Sequence, residues 1–155
     1  MAESTSSTAP PTEPSRAPSA NVEIVPDETV QNAQQLHEWA RLLNEACRAF
    51  GKEFGVTKHY KQWMIDAGFK NVKEEVYKVP INPWPEDRQM KELGRYSQVN
   101  ALESMESYSL ALFTRVLGWK PQEVQVFLAG VRQELMDRSL HIYAKHYFVY
   151  GQKEE

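Results

Sequence analysis

The chain has 155 residues, room for one domain of ordinary size. Its 41% hydrophobic and 25% charged residues fit a soluble globular protein, and a formal net charge of −3 offers no basic footprint for nucleic acid. No stretch approaches the roughly 18–20 apolar residues of a membrane span, the first residues hold no apolar signal core, and the single Cys47 excludes an internal disulfide and a Cys-rich zinc site while fitting a reducing compartment, cytoplasm or nucleus.

Residues 1–20 contain eight Ser or Thr, four Pro and no large apolar residue beyond the initial Met. Such a segment buries too little surface to offset its ordering entropy and is expected to be a disordered tail, either a plain leader or one read by kinases or targeting factors. The domain is then expected over 21–155. NVEIV (21–25) reads as a short strand closed by Pro26-Asp27. Val30, Ala33, Leu36, Ala40, Leu43, Cys47, Phe50 and Phe54 recur three or four apart, which predicts a helix over 28–54, capped by Asp27 or Thr29 and closed by Gly55. Trp39 stands beside that stripe.

Thr57 is expected to cap a second helix over 58–67, with Tyr60, Trp63, Met64 and Ala67 inward and Gly68 as a left-handed C-cap. NVKEEVYKV (71–79) reads as a strand. Pro80, Pro83 and Pro85 then bracket Trp84 in a rigid loop. Residues 86–117 are predicted to be helical in two pieces jointed near Gly94, with Leu102, Met105, Ser109, Leu112, Phe113 and Val116 inward. Pro121 suits the first turn of a helix over 121–138, whose inward face is Val124, Phe127, Leu128, Val131 and Leu135. Residues 140–150 form a strand apolar on both faces. It therefore belongs inside a sheet, with 22–25 and 71–79 as its antiparallel neighbours.

The seven glycines, at 51, 55, 68, 94, 118, 130 and 151, assemble no GxGxxG, GxxxxGK[ST] or GxSxG. The four histidines show no HxH, HExxH or CxxH spacing, so no metal site is expected. His141 and His146 fall on opposite faces of the last strand. Cys47 reads as a buried, inert thiol. Glu74 and Glu75 point to opposite faces of a strand and cannot act as a paired acid and base. Glu86 and Asp87 suit the first turn of a helix.

Two places are candidates for substrate contact. Trp84, on its proline-rich loop, either lines a pocket mouth or lids the core. LGRYSQVN (93–100) puts Arg95, Tyr96 and Asn100 near a helix start, where they either meet an anionic or aromatic acceptor or mark a surface joint. No catalytic base and no cofactor-binding residue is assigned.

HEWARLLNEACRAFGKEF (37–54), WMIDAGFKNVKEEVYKVPINPWPED (63–87), LGRYSQVNALESMESYSLALFTRVLGW (93–119), PQEVQVFLAGVRQEL (121–135) and HIYAKHYFVYGQK (141–153) resemble the C-terminal half of fungal class I S-adenosylmethionine-dependent methyltransferases. The nearest group is related to the velvet-complex regulator of secondary metabolism. AGF, a strand, a proline-Trp loop and LGRY are specific in combination, and the resemblance covers about 28–155. It implies an α/β fold, the C-terminal half of a Rossmann-like sheet, with a small three-stranded sheet whose last strand is central. It implies S-adenosylmethionine as cofactor and a small-molecule or protein methyl acceptor. The family's glycine-rich loop and its ribose-binding acidic residue would precede NVEIV, where this sequence has its Pro/Ser/Thr tail. Two functions follow: a truncated or degenerate methyltransferase, or a non-catalytic interaction module with a protein partner or self-association.

Overall fold

The computed structural model describes residues 19–21, 28–53 and 55–153. The expected tail, apart from Ser19 and Ala20, lies outside the described residues, as do 22–27 and Phe54. The chain runs β1 (Ser19–Asn21), a 3-10 segment (Glu28–Asn32), α1 (Gln34–Ala49), a 3-10 turn (Val56–His59), α2 (Tyr60–Asp66), β2 (Lys70–Pro80), α3 (Arg88–Arg115), α4 (Pro121–Met136) and β3 (Tyr143–Gln152). It is a helix-rich α/β arrangement.

The sheet is built on β2 and β3, which pair antiparallel from Lys70↔Gln152 to Pro80↔Tyr143, with an irregularity between Lys70 and Lys73 where Asn71 takes φ 52°. β1 runs antiparallel along the other edge of β3, with Ala20 opposite His146. The expected strand at 21–25 shares only Asn21 with it. The last strand begins at Tyr143 rather than 140, because Leu140 and Ile142 enter the core from the preceding loop.

Helices α1, α3 and α4 pack on one another beside the start of β3. Their core comprises Leu36, Trp39, Leu42 and Leu43 of α1, Met105 and Phe113 of α3, and Val124, Leu128, Val131 and Leu135 of α4, joined by Ile81, Ile142 and Ala144. The inward face of α4 is thus as expected, with Phe127 only half-buried. The face of α1 is rotated from the expected stripe. Trp39, Leu42 and Ala46 are buried, whereas Phe50 is 65% exposed. The reason is that α1 stops early. Gly51, at φ 74°, lets its own N–H reach the carbonyl of Arg48 and that of Lys52 reach the carbonyl of Cys47, so the left-handed cap falls at Gly51 and not at Gly55.

The start of α1 also departs from expectation. Glu28–Asn32 is 3-10, Ala33 stands at the N-cap of α1 and Thr29 does not cap it, while the other expected cap, Asp27, lies outside the described residues. The carboxylate of Glu134, from α4, accepts the N–H groups of Gln35 (3.0 Å) and Leu36 (2.7 Å). An anion from another helix satisfies orphan donors where the positive end of the dipole favours it. Thr29 is used elsewhere, its hydroxyl accepting from the His141 N–H.

The second helix is shorter than predicted and buries no residue; Trp63 is 50% exposed. Gly68 does provide its left-handed C-cap, with the N–H of Phe69 on the carbonyl of Met64. The expected joint near Gly94 is absent. α3 is one 28-residue helix, capped by the Asp87 carboxylate on the Met90 N–H. Glu86 and Asp87 therefore precede the first turn. Gly94 is required for a different reason: a Cβ there would stand 2.4 Å from the carbonyl oxygen of Asn82. The helix backbone rests directly on the proline-rich loop.

Candidate functional site

That loop, residues 80–85, is itself buried except for part of Trp84. Its Ile81 N–H bonds the carbonyl of Ile142, and Asn82 Nδ2 donates to the carbonyls of Asp137 (2.7 Å) and Leu140 (3.0 Å). Asn82 Oδ1 and Trp84 Nε1 are buried without a hydrogen-bond partner among the described residues. The Trp84 ring stacks on His141 at 4.3 Å and meets Tyr143 edge-on at 5.1 Å. Trp84 thus covers the loop that leads into β3, and it does not line the cleft described next. His141 precedes β3 instead of lying on a strand face, which corrects its expected position.

A cleft of about 240 Å³ opens between α1, α3 and the sheet. Its floor is apolar: Trp39 and Leu43 from α1, Ile81 from the loop, Leu135 from α4 and Ala144 from β3. One row of α3 supplies Ser97, Asn100, Ala101, Ser104 and Tyr108, spaced three or four apart and so on one side of the helix. His146 of β3 completes the lining. The Trp39 indole N–H donates to Ser109 Oγ at 2.8 Å, and Ser109 donates in turn to the carbonyl of Met105, which fixes the indole. Ser104 donates back to the carbonyl of Asn100. Among the described residues that line the cleft there is no Asp, Glu, Lys or Arg. Burial lowers the pKa of His146 from its ordinary value, so its ring is neutral near pH 7.

Of the four residues expected to contact substrate, Trp84, Arg95, Tyr96 and Asn100, only Asn100 is among the described residues that line this cleft. Arg95 is exposed and paired with Glu92 at 2.7 Å, one turn away, and Tyr96 is 70% exposed. All three lie within α3, beyond its first turn, rather than near its start. Cys47 is half-buried, and burial raises its thiol pKa, as an unreactive thiol requires.

The sheet carries a second group that sequence reasoning missed. Register places Tyr77 opposite His146 and Glu75 opposite Phe148, with Tyr150 two further along the same face of β3. The hydroxyls of Tyr77 and Tyr150 both donate to the Glu75 carboxylate at 2.7 Å. Glu75 was discounted because Glu74 faces the other way; one partner, Tyr77, stands two residues along β2 and the other, Tyr150, comes from a strand 75 positions later. Among the described residues no group of His, Cys, Asp and Glu could hold a metal ion, and no helix is long and apolar enough to cross a membrane.

Comparison with characterised proteins gives the class. The chain is 39% identical over 127 residues to a probable methyltransferase, tdiE, of Emericella nidulans, covering 82% of this chain and 40% of that protein. It is 33% identical over 135 residues to the methyltransferase pytC of Aspergillus terreus, covering 87% and 42%. The secondary metabolism regulator laeA of Monascus pilosus is 32% identical over 112 residues, 70% of this chain and 30% of the regulator. No family model matches, and no solved structure matches. The chain is related over most of its length to fungal proteins named as methyltransferases, tdiE and pytC, and to one named as a secondary metabolism regulator, laeA. It spans about two fifths of the length of the first two relatives.

Methyltransferases of this family imply S-adenosylmethionine, and the described residues do not fit its cradle. None of the seven glycines stands in a loop joining a strand to a helix. Gly51, Gly68 and Gly118 follow helices, Gly55 precedes a 3-10 turn, and Gly94, Gly130 and Gly151 lie inside α3, α4 and β3, each against a neighbouring chain segment.

Proposed function

We propose that this chain supplies the acceptor-facing and sheet-completing part of an S-adenosylmethionine-dependent methyltransferase of fungal secondary metabolism. The observation that carries the reading is the 39% identity to tdiE over 82% of the chain. The order β1-β3-β2, with both pairings antiparallel, supports a Rossmann-like C-terminal half in which β3 is the inserted central strand. Bound S-adenosylmethionine supplies an electrophilic methyl group on a sulfonium. The cradle for it belongs to the share of the relatives' length that this chain does not span. The chain's own contribution is to shape the acceptor's surroundings and hold it in line, where positioning is the main source of rate.

A chimera tests this. The part of tdiE that this chain does not match is joined to residues 28–153, and methyl transfer from labelled S-adenosylmethionine is measured. Turnover above that of the tdiE part alone is expected. A folded chimera that binds the donor but transfers no methyl to any acceptor used by tdiE refutes the acceptor-side role. The 155-residue chain alone should bind S-adenosylmethionine no more tightly than about millimolar, a net of ~4 kcal/mol. Micromolar affinity by calorimetry refutes that division of labour.

A second reading, a non-catalytic module that docks on a protein or on itself, is favoured by the exposed apolar side chains Met90, Leu93, Tyr96 and Val99 in the first half of α3. Sedimentation at tens of micromolar should then show dimers or larger species, and a concentration-independent monomer refutes self-association. We place the protein in the cytoplasm or nucleus, which a fluorescent fusion to the full chain would test.

A further inference from the structure

We infer that the cleft between α1, α3 and β3 binds a neutral hydroxylated aromatic molecule of one or two fused rings, its ring on the Trp39 floor and its hydroxyl toward His146 and Asn100. This deepens the methyltransferase reading by naming the chemical class of acceptor, and it rests on that reading only for the word acceptor.

Size comes first. The cleft's roughly 240 Å³ falls below the roughly 300–1,000 Å³ of pockets for drug-sized ligands, so one or two rings fit and a larger skeleton does not. Shape follows from the walls. Trp39, 6% exposed and pinned by its bond to Ser109, gives the cleft a rigid aromatic floor, and small side chains, Ala101 and Ala144, leave the space beside it. A planar body uses that space with little loss of its own freedom, since it has few rotors to fix.

Charge is decided by what is missing from the lining. A carboxylate or ammonium entering the cleft would leave water with no counter-charge among the described residues that line it, which disfavours its entry. The polar groups present are uncharged and of mixed character. Neutral imidazole offers one donor and one acceptor nitrogen, and the Asn100 amide offers both as well. Neither His146 nor the Asn100 side chain has a hydrogen bond to another described side chain or backbone group that would occupy it. A hydroxyl, which gives one hydrogen bond and takes others, matches that pair; a purely apolar ring would gain nothing from either group.

The test uses the full chain without cofactor. 2-Naphthol is titrated and followed by backbone amide shifts, with naphthalene and 2-naphthoate as comparators at pH 7.5. Saturable binding is expected with a Kd on the order of 0.1 mM. Shifts should centre on 97–108 and 144–146. Naphthalene and 2-naphthoate should each bind at least about tenfold more weakly. Ala101→Leu, which fills the cleft, should abolish binding with an unchanged circular dichroism spectrum. Should that variant misfold, Asn100→Ala, at an exposed position, should weaken 2-naphthol about three- to tenfold and leave naphthalene unchanged. The inference is overturned if no saturable binding occurs, if the shifts map elsewhere, if folded Ala101→Leu binds normally, or if 2-naphthoate binds as tightly as 2-naphthol. Absence of binding alongside an active chimera overturns the ligand assignment alone and leaves the methyltransferase reading standing.

Discussion

Replacing Gly94 by alanine separates two physical expectations of opposite sign. Helix propensity alone favours Ala over Gly in a helix interior by about 1 kcal/mol. Here the new Cβ would lie 2.4 Å from the Asn82 carbonyl oxygen, 2.9 Å from its carbon and 3.2 Å from Pro83 Cα. All three are backbone atoms, and restoring ordinary contact requires α3 and the loop to part by about 1 Å. Overpacking of this kind costs about 1–3 kcal/mol. The displaced loop also strains the two Asn82 hydrogen bonds to Asp137 and Leu140, each worth about 0.5–1.5 kcal/mol. The net expectation for Gly94→Ala is a loss of about 2–4 kcal/mol, a fall of roughly 1–2 M in the urea midpoint at unchanged slope. Gly130→Ala is the control. Its Cβ meets only the flexible Gln35 side chain, at 3.2–3.3 Å, so the propensity gain should survive and stability should stay within about 0.5 kcal/mol or rise. A Gly94→Ala chain as stable as the parent would refute the close-approach argument.

Three further outcomes are expected. Ser109→Ala should cost about 1–3 kcal/mol in the same urea titration, because it leaves the buried Trp39 N–H without its acceptor; a loss below about 0.5 kcal/mol would show that the indole finds another partner. Glu134→Ala should cost about 1–2 kcal/mol and speed hydrogen exchange at Gln35 and Leu36 specifically, since it removes the acceptor for both N–H groups at the start of α1; uniform exchange along α1 would count against it. For His146, burial holds the folded pKa below the ordinary 6.5, so between those values the unfolded chain binds more protons and stability rises with pH. The contribution is present above pH 6.5 and is lost as pH falls through the folded pKa; His146→Asn should flatten that part of the stability profile, and an unchanged slope would assign it to other groups.

Much of the fold is local and therefore legible in the sequence. The apolar spacing of α4, Pro121 at its start, Gly68 behind α2 and the β-rich runs at 70–80 and 143–152 each reflect forces acting within a turn or two of chain, and each element is found close to its expected place. The family resemblance could also be read, because AGF, the proline-Trp loop and LGRY are short contiguous strings. The tertiary structure decided whatever depends on two distant segments. Glu134 caps α1 from about 100 residues away, a role no cap motif announces. Gly94 reads as a helix joint until the Asn82 carbonyl is placed against it. The cleft joins one row of α3 to Trp39 and His146, and the Glu75 cluster exists only once β2 and β3 take their register. A one-residue slip in that pairing would turn His146 away from the cleft and Tyr150 away from Glu75. Such a register is set by packing over the whole sheet face, which explains why Asn100 could be chosen from sequence while the residues that surround it could not.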